Sequence, residues 1–138
     1  MSKIAVTLAT LESRLGKTAN VSTLVNESNT AQTMRSGSLP VFATPSLIAL
    51  MEQAACKCLA ASLEPGQTSV GTKISVEHTA ASPLGAEITA SATVEYVSGR
   101  KIEFSVTARE GNKEVGCGKH TRVIVEGERF MAKLDQGT

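Results

Sequence analysis

A single long helical segment constrains this fold more than any other feature of the sequence. Its start is marked by Thr44-Pro45, a typical N-cap residue followed by a proline suited to the first helical position. Its end is marked by Pro65-Gly66, so we predict a helix from Thr44 to about Leu63. Polar residues follow one narrow stripe, and the opposite side carries Ile48, Met51, Ala55, Cys58, Leu59 and Ser62. A helix this apolar is expected to be wrapped by a sheet.

The segments around this helix alternate between apolar and polar residues, which is typical of strands with one buried face. We predict strands over 17–26, 68–80, 87–97, 102–108 and 113–126, and a loop over 29–40. On one face, the second strand is predicted to carry Val70, Ile74, Val76 and His78. The third strand is predicted to align Ile88, Ala90, Ala92, Val94 and Tyr96. One strand, one helix and four antiparallel strands predict an α+β fold, with one curved antiparallel sheet around one long helix.

Composition limits both the core and the partners. The 138 residues suit one domain, 41% of them are apolar, 20% are charged, and the net charge is +1. This balance favours neither nucleic acid nor an anionic membrane as a partner. One tyrosine, three phenylalanines and no tryptophan exclude an aromatic platform for stacked bases. The core must consist mainly of small aliphatic residues, and we expect a partner subunit to complete it.

The cellular setting is indicated by patterns that the sequence lacks. The apolar stretch 4–11 is too short to span a membrane and has no basic start or cleavage site, so no anchor or export signal is expected. Cys56, Cys58 and Cys117 have no metal-binding spacing and are predicted to be free thiols, mainly small buried residues. Phosphate-binding loops, zinc patterns and nucleophilic-serine elbows are absent. We therefore predict a cytoplasmic protein without a metal or a cofactor.

Two titratable residues stand out because they lie on faces that should be apolar. Glu52 lies on the flank of the helix, and its neighbours three and four positions away are apolar or small. Partial desolvation there would make its carboxylate a stronger base. His78 lies on the strand face that should pack on the helix, so the two residues could form an acid–base pair. The alternatives are a glutamate that reaches water and a core histidine with a structural partner.

Three more residues are candidates for the same site. Thr44 lies at the helix N-terminus, where free N–H groups and the helix dipole can polarise a carbonyl oxygen; an ordinary N-cap role would also explain it. Thr44 and Glu52 are eight residues apart, about 12 Å along a helix axis. A site that uses both is therefore elongated or combines two subunits. His120 and Arg122 share one face of the last strand with two glycines, which suggests close backbone approach; the alternative is a solvated outer face.

Beyond these single residues, several longer runs have a familiar spacing: Val41-Phe42-Ala43-Thr44-Pro45, then Glu52, then 67–72, 78–85 and 116–122. Together they resemble hot-dog-fold thioesterases of the fluoroacetyl-CoA thioesterase type, over roughly residues 15 to 133. The resemblance implies a hot-dog domain over residues 15–138, with residues 1–14 as a tail or short extra element. It also implies a homodimer that hydrolyses a small acyl-CoA thioester.

The resemblance further implies roles for individual residues. Its catalytic set corresponds to Thr44, Glu52 and His78, and which of them is the nucleophile stays open. Gly71 corresponds to a glycine whose backbone helps to bind the thioester, and Arg122 to a basic residue near the site.

Two departures from the family pattern and two alternatives bear on the activity. Thr121 stands where the family often has glutamate, and Ser38-Leu39-Pro40 has no aromatic residue, so a fluorinated acyl group is not implied. The resemblance implies only the broader class of acyl-CoA thioesterases. The alternatives are a non-catalytic hot-dog protein that binds an acyl-CoA or small acyl ligand, and a hot-dog enoyl hydratase.

Overall fold

Alternating burial along the strands and a one-sided apolar helix produce two packed layers. The computed structural model describes residues 11–136. Its elements are β1 (Thr18–Leu24), α1 (Ala31–Met34), α2 (Thr44–Ala60), β2 (Gln67–His78), β3 (Glu87–Ser98), β4 (Lys101–Glu110), β5 (Lys113–Glu126) and α3 (Gly127–Asp135). The five strands form one antiparallel sheet with the order β1-β3-β4-β5-β2, so β1 and β2 are its edges. The predicted combination of one antiparallel sheet and one long helix is confirmed.

The core lies between α2 and the inward-facing positions of the sheet. The helix buries Leu47, Leu50, Met51, Ala54, Ala55, Cys58 and Leu59. Along β3 and β4, every second side chain is buried: Ile88, Ala90, Ala92, Val94, Ile102, Phe104, Val106 and Ala108. Small residues bring the layers close, because a Cβ on Gly116 of β5 would lie 2.8 Å from Cδ2 of Leu47 and 3.3 Å from Cε of Met51. Helix and sheet therefore pack with little aromatic bulk between them.

The helices differ from the predicted pattern in length and number. α2 ends at Ala60 rather than near Leu63, and Ala61 is its C-cap. α1 lies inside the segment predicted as a loop, and its N-cap Thr30 accepts a hydrogen bond from the backbone N–H of Thr33. α3 was not predicted; it buries none of its residues and exposes Phe130, Met131 and Leu134.

A register shift in β2 reverses the alternation of that strand. The shift lies between Gly71 and Lys73, so Thr72 is an extra residue relative to β5. Gly71 therefore shares a face with Ile74, and the prediction that Val70 shares that face is wrong. This bulge decides which residue of β2 faces the site described below.

A second register shift lies in β3, between Val94 and Tyr96. Positions 88–94 alternate as predicted, but Tyr96 is 54% exposed instead of continuing the buried face. The strand therefore lies where it was predicted, but after the register shift its side chains face the opposite sides from those predicted.

Three predictions concern the N-terminus, the thiols and the membrane. Residues 1–10 of the predicted tail lie outside the described residues, whereas Leu11 is 1% exposed and belongs to the core. All three cysteines are free: Cys58 is buried as predicted, Cys117 is half-buried and Cys56 is exposed. Within residues 11–136, none of the helices has the length and apolarity needed to cross a membrane.

Candidate active site

A hydroxyl–imidazole pair lies at the N-terminus of α2. Thr44 is in the first turn of the helix, and Oγ1 lies 2.7 Å from Nδ1 of His78, the last residue of β2. The N-cap is Ala43 and makes no side-chain capping bond, so the capping role considered for Thr44 is wrong. The threonine hydroxyl is instead held by an imidazole next to free helical N–H groups. This arrangement has the parts of an activated nucleophile, a hydroxyl and an adjacent base.

His78 has two properties that matter for a base. Burial lowers its pKa from the ordinary value of 6.5, so the ring is mainly neutral at neutral pH. Its Nε2 atom is buried and has no hydrogen-bond partner among residues 11–136. When Nδ1 of the neutral ring accepts a hydrogen bond from the Thr44 hydroxyl, Nε2 carries the ring proton, which then has no acceptor within residues 11–136.

A second group of polar residues surrounds Glu52, further along α2. The Glu52 carboxylate lies 3.2 Å from Nη1 of Arg122 and 3.9 Å from Nε2 of His120, and its side chain is 41% exposed. Arg122 also donates from Nε to Ser69 Oγ at 2.8 Å and from Nη2 to the Ser69 carbonyl at 3.1 Å. His120 and Arg122 are only 2% and 7% exposed, so a solvated outer face is excluded for both. Glu52 is therefore half-exposed but pinned by a buried guanidinium.

Gly71 faces this second group because of the bulge at Thr72. A Cβ on Gly71 would lie 2.6 Å from Oε2 of Glu52 and 3.2 Å from both Nη1 of Arg122 and Cε1 of His120. Real side chains do not tolerate the first of these distances, so glycine is required if Glu52 is to keep its place. The bulge thus brings a residue without a side chain to the point where the carboxylate needs room.

Gly71→Ala is expected to lower kcat about tenfold or more, because small displacements of a reacting group cost that much. The new methyl group would push the Glu52 carboxylate away from Arg122. The carboxylate ends a flexible side chain, so the melting temperature should change little. Steady-state kinetics and thermal unfolding measure the two effects. Ser75→Ala, exposed on the opposite face of β2, is the matched control; equal activity of both variants would contradict the placement of Gly71.

The chain brings the candidate residues into two groups and not into one. Thr44 and His78 form the first group, and Glu52, Gly71 and Arg122 form the second. The hydrogen bond of His78 goes to Thr44 and the ion pair of Glu52 goes to Arg122, so the direct Glu52–His78 pair is not formed within the described chain. Thr44 and Glu52 both lie in α2, about 12 Å apart along its axis, which explains the separation.

The structure adds residues that the sequence analysis did not assign. Ser69 binds Arg122 through both its hydroxyl and its carbonyl, and no pattern in the sequence marks that contact. His120 was singled out without a role and now lies against the Arg122 guanidinium at 3.2 Å. Groups of residues that could hold a metal ion are not found within residues 11–136.

An open cleft adjoins the Thr44–His78 pair. Its volume is about 330 Å³, and its other lining residues are Ala31, Ser36, Val41, Phe42, Thr79, Ala80 and Ala81. None of these side chains carries a charge. The cleft can therefore receive a small uncharged group next to the threonine hydroxyl.

The free energy of unfolding is expected to fall between about pH 7 and about pH 5.5. Burial lowers the pKa of both His78 and His120 below the ordinary 6.5 in the folded chain. The unfolded chain then binds more protons in this window, so protonation favours unfolding as the pH falls. Thermal unfolding at a series of pH values measures the slope, and His78→Gln should reduce it. A melting temperature that is flat in the wild-type protein across the window would contradict the burial of both rings.

Comparison with known proteins provides independent evidence about the family of this chain. A family model described as fluoroacetyl-CoA-specific thioesterase matches residues 25–128. A curated protein of Streptantibioticus cattleyicolor, named fluoroacetyl-CoA thioesterase, is 44% identical over 98 residues, which are 71% of this chain and 70% of that protein.

Solved structures agree with this match. A variant of the fluoroacetyl-CoA-specific thioesterase superposes with a TM-score of 0.85 at 36% identity, covering 91% of this chain and 97% of that chain. A hot-dog-like protein of Thermanaerovibrio acidaminovorans superposes with a TM-score of 0.81 at 28% identity, covering 88% of this chain and 90% of that chain. The predicted hot-dog fold is thereby confirmed.

Proposed function

The chain belongs to the fluoroacetyl-CoA-specific thioesterase family and hydrolyses acyl-CoA thioesters, and from that premise we propose that Thr44, Glu52 and His78 carry the reaction. The observation that carries the proposal is the 2.7 Å hydrogen bond between Thr44 Oγ1 and His78 Nδ1 at the N-terminus of α2. A hydroxyl in this place has both a base and a set of free N–H donors within reach.

In the proposed reaction, His78 Nδ1 accepts the hydroxyl proton as Thr44 Oγ1 attacks the thioester carbonyl carbon. The C–S bond breaks, the CoA sulfur takes the proton from the imidazolium and leaves as a thiol, and the acyl group remains on Oγ1. Water then attacks this ester with His78 again as base, which releases the acid and restores the hydroxyl. The N–H groups of the first turn of α2 stabilise the negative charge on the carbonyl oxygen in both steps.

The lining of the cleft supports a small uncharged acyl group as the substrate. A carboxylated acyl group such as malonyl or succinyl would lose its hydration there without meeting a cation. Thiol release from acetyl-, propionyl-, butyryl-, fluoroacetyl-, malonyl- and succinyl-CoA tests this directly. We expect the neutral acyl groups to exceed the carboxylated ones by at least about tenfold in kcat/KM. Preference for malonyl- or succinyl-CoA would overturn the proposed substrate class.

The same panel, extended by crotonyl-CoA, separates the thioesterase from the two alternative functions. Binding of an acyl-CoA without release of thiol would indicate the non-catalytic hot-dog protein. Hydration of crotonyl-CoA without release of CoA would indicate the hydratase. Rapid thiol release from any of the neutral substrates supports the proposal.

We further propose that the site combines two subunits of a homodimer. Within one chain, Gly71 and His78 of β2 pair with Arg122 and Gly116, which are six residues apart on β5, about 20 Å of strand, so the two groups diverge. β2 is an edge strand, and its free edge can pair antiparallel with the same edge of a second copy. A two-fold axis near Ile74 would bring Gly71 of one subunit opposite His78 of the partner subunit.

Two further features of the chain support this dimer. Nε2 of His78 is buried and meets no acceptor in the part of the chain that the structure describes, and the Glu52 carboxylate is half-exposed. In the proposed dimer, the carboxylate of Glu52 of the partner subunit accepts a hydrogen bond from Nε2–H of His78, and the partner's Gly71 adds a backbone contact near the thioester. A sizing measurement should give the mass of two chains; a fully active monomer would contradict the shared site.

The free thiols and the CoA substrate support a cytoplasmic location, as expected from the sequence. Residues 15–138 are proposed as the catalytic domain, although burial of Leu11 shows that the core also uses a residue before it.

A further inference from the structure

His120 is a buried titratable residue that the proposed reaction does not use. Its side chain is nearly inaccessible, and its ring stacks on Phe104 with 6.2 Å between centroids and 26° between planes. Both ring nitrogens nevertheless have polar neighbours. Nδ1 lies 2.8 Å from the carbonyl oxygen of Lys73, and Nε2 lies 3.2 Å from Nη1 of Arg122.

These two contacts determine where the proton of His120 lies. A carbonyl oxygen only accepts hydrogen bonds, so Nδ1 must carry the proton that it donates to Lys73. A guanidinium only donates, so Nε2 must be the unprotonated nitrogen that accepts from Arg122. The contacts therefore agree with one species only, the neutral ring protonated on Nδ1. Burial lowers the pKa of His120 and the Arg122 charge acts in the same direction, whereas the hydrogen bond to Lys73 and the Glu52 charge raise it; the net effect is a lowered pKa, which favours the neutral ring.

Arg122 is oriented from several sides. Ser69 accepts from Nε and Nη2, which fixes one edge of the guanidinium. Nη1 projects from the other side, where it meets both His120 Nε2 and Glu52 Oε2 at 3.2 Å. Without an acceptor at Nε2, Nη1 would keep the half-exposed Glu52 carboxylate as its only partner among these contacts.

We propose that His120 is a positioning residue, which uses its Nδ1-protonated ring to aim Nη1 of Arg122 at Glu52. The inference rests on the proposed role of Glu52 in hydrolysis. The backbone of Lys73, one residue after the bulge at Thr72, orients the ring; the ring orients the guanidinium; the guanidinium orients the carboxylate. A doubly protonated ring would break this order, because its Nε2–H would oppose Arg122 and offer Glu52 Oε2 a competing donor from 3.9 Å.

Nitrogen NMR of the wild-type protein tests the proton placement without reference to activity. The chain contains two histidines, so His78→Asn assigns the His120 signals. At neutral pH we expect a protonated Nδ1 and an unprotonated Nε2. A ring protonated on Nε2, or on both nitrogens, would overturn the proposal. If the protein did not hydrolyse thioesters, the proposed function would be wrong, but the NMR measurement would still test where the proton of His120 lies.

Two variants of His120 with side chains of different length test whether its hydrogen bond to Arg122 matters for catalysis. The amide of Asn replaces Nδ1 but not Nε2, whereas the longer Gln can place its oxygen near Nε2. His120→Asn should lower kcat about tenfold to 100-fold, as loss of a hydrogen bond to a charged group does, with KM changed less than about twofold. His120→Gln should recover kcat to within about threefold of the wild type if its oxygen replaces the lost acceptor.

Phe104→Leu is the control for packing alone. It removes the stacking partner and keeps both hydrogen bonds of His120, so it should lower the melting temperature with kcat within about twofold of the wild type. Equal kcat values for His120→Asn and the wild type would overturn the proposal, as would equal losses in the Asn and Gln variants.

Discussion

Glu52→Gln is expected to lower kcat for acyl-CoA hydrolysis at least about 100-fold, which is the usual scale for an acid–base group. Glutamine keeps the size of the side chain and its place on α2, but it has lost the negative charge that faces Arg122 at 3.2 Å. It is also a much weaker acceptor for the imidazolium that forms when His78 takes a proton. Thiol release with the best substrate of the panel measures the effect.

Gln53→Ala is the matched control for this variant, because Gln53 is the exposed neighbour of Glu52 on the same helix. Its kcat should equal that of the wild type. Circular dichroism and thermal unfolding show whether Glu52→Gln is folded. A folded Glu52→Gln enzyme with wild-type kcat would remove Glu52 from the mechanism, and the dimeric site with it.

Two inactive variants should restore activity when they form one dimer. If Glu52 of one subunit acts with Thr44 and His78 of the other, a heterodimer of Glu52→Ala and His78→Ala contains one intact site and one doubly damaged site. Co-expression with two different affinity tags isolates this heterodimer. Its kcat per dimer should be about half that of the wild type, since a two-fold dimer has two equivalent sites.

A heterodimer of Thr44→Ala and His78→Ala provides the control. Both residues belong to the same hydroxyl–imidazole pair, so each site of this dimer lacks one of them and the dimer should stay inactive. Activity in this control, or none in the first heterodimer, would refute the shared site. The result also decides whether the 12 Å gap on α2 is bridged by a second subunit or by an extended substrate.

The architecture could be predicted from the sequence because its signals are local. Proline and glycine mark the ends of α2, and period-two alternation marks each strand of the sheet. The facing of side chains near the bulges was harder to predict. Val70 precedes one bulge and Tyr96 follows another, and each bulge adds one residue without a sequence signature. α3 escaped prediction because it is only nine residues long. Phe130, Met131 and Leu134 have helical spacing, but so short a segment directly after a strand gives little periodicity to read.

The site was only partly predictable for a related reason. Thr44, Glu52 and His78 stood out by type and position, but their partners depend on distant register. Arg122 reaches Glu52 because β5 pairs with β2, and Ser69 holds Arg122 from 53 positions away in the sequence. Contacts of this range are set by the sheet as a whole and leave no mark in a short motif.

The bulge at Thr72 makes the active site sensitive to the register of β2 as well as to the identity of its residues. Gly71 and Lys73 pair with neighbouring residues of β5, so the ladder passes over Thr72. If Thr72 took a regular place in the ladder, alternation would turn Gly71 to the opposite face and place Val70 where Gly71 now faces Glu52. A single Cβ at Gly71 would already lie 2.6 Å from the carboxylate. A slip of one residue would thus keep every motif of the enzyme and abolish its activity. For this strand, an extra residue in an alignment is a functional feature.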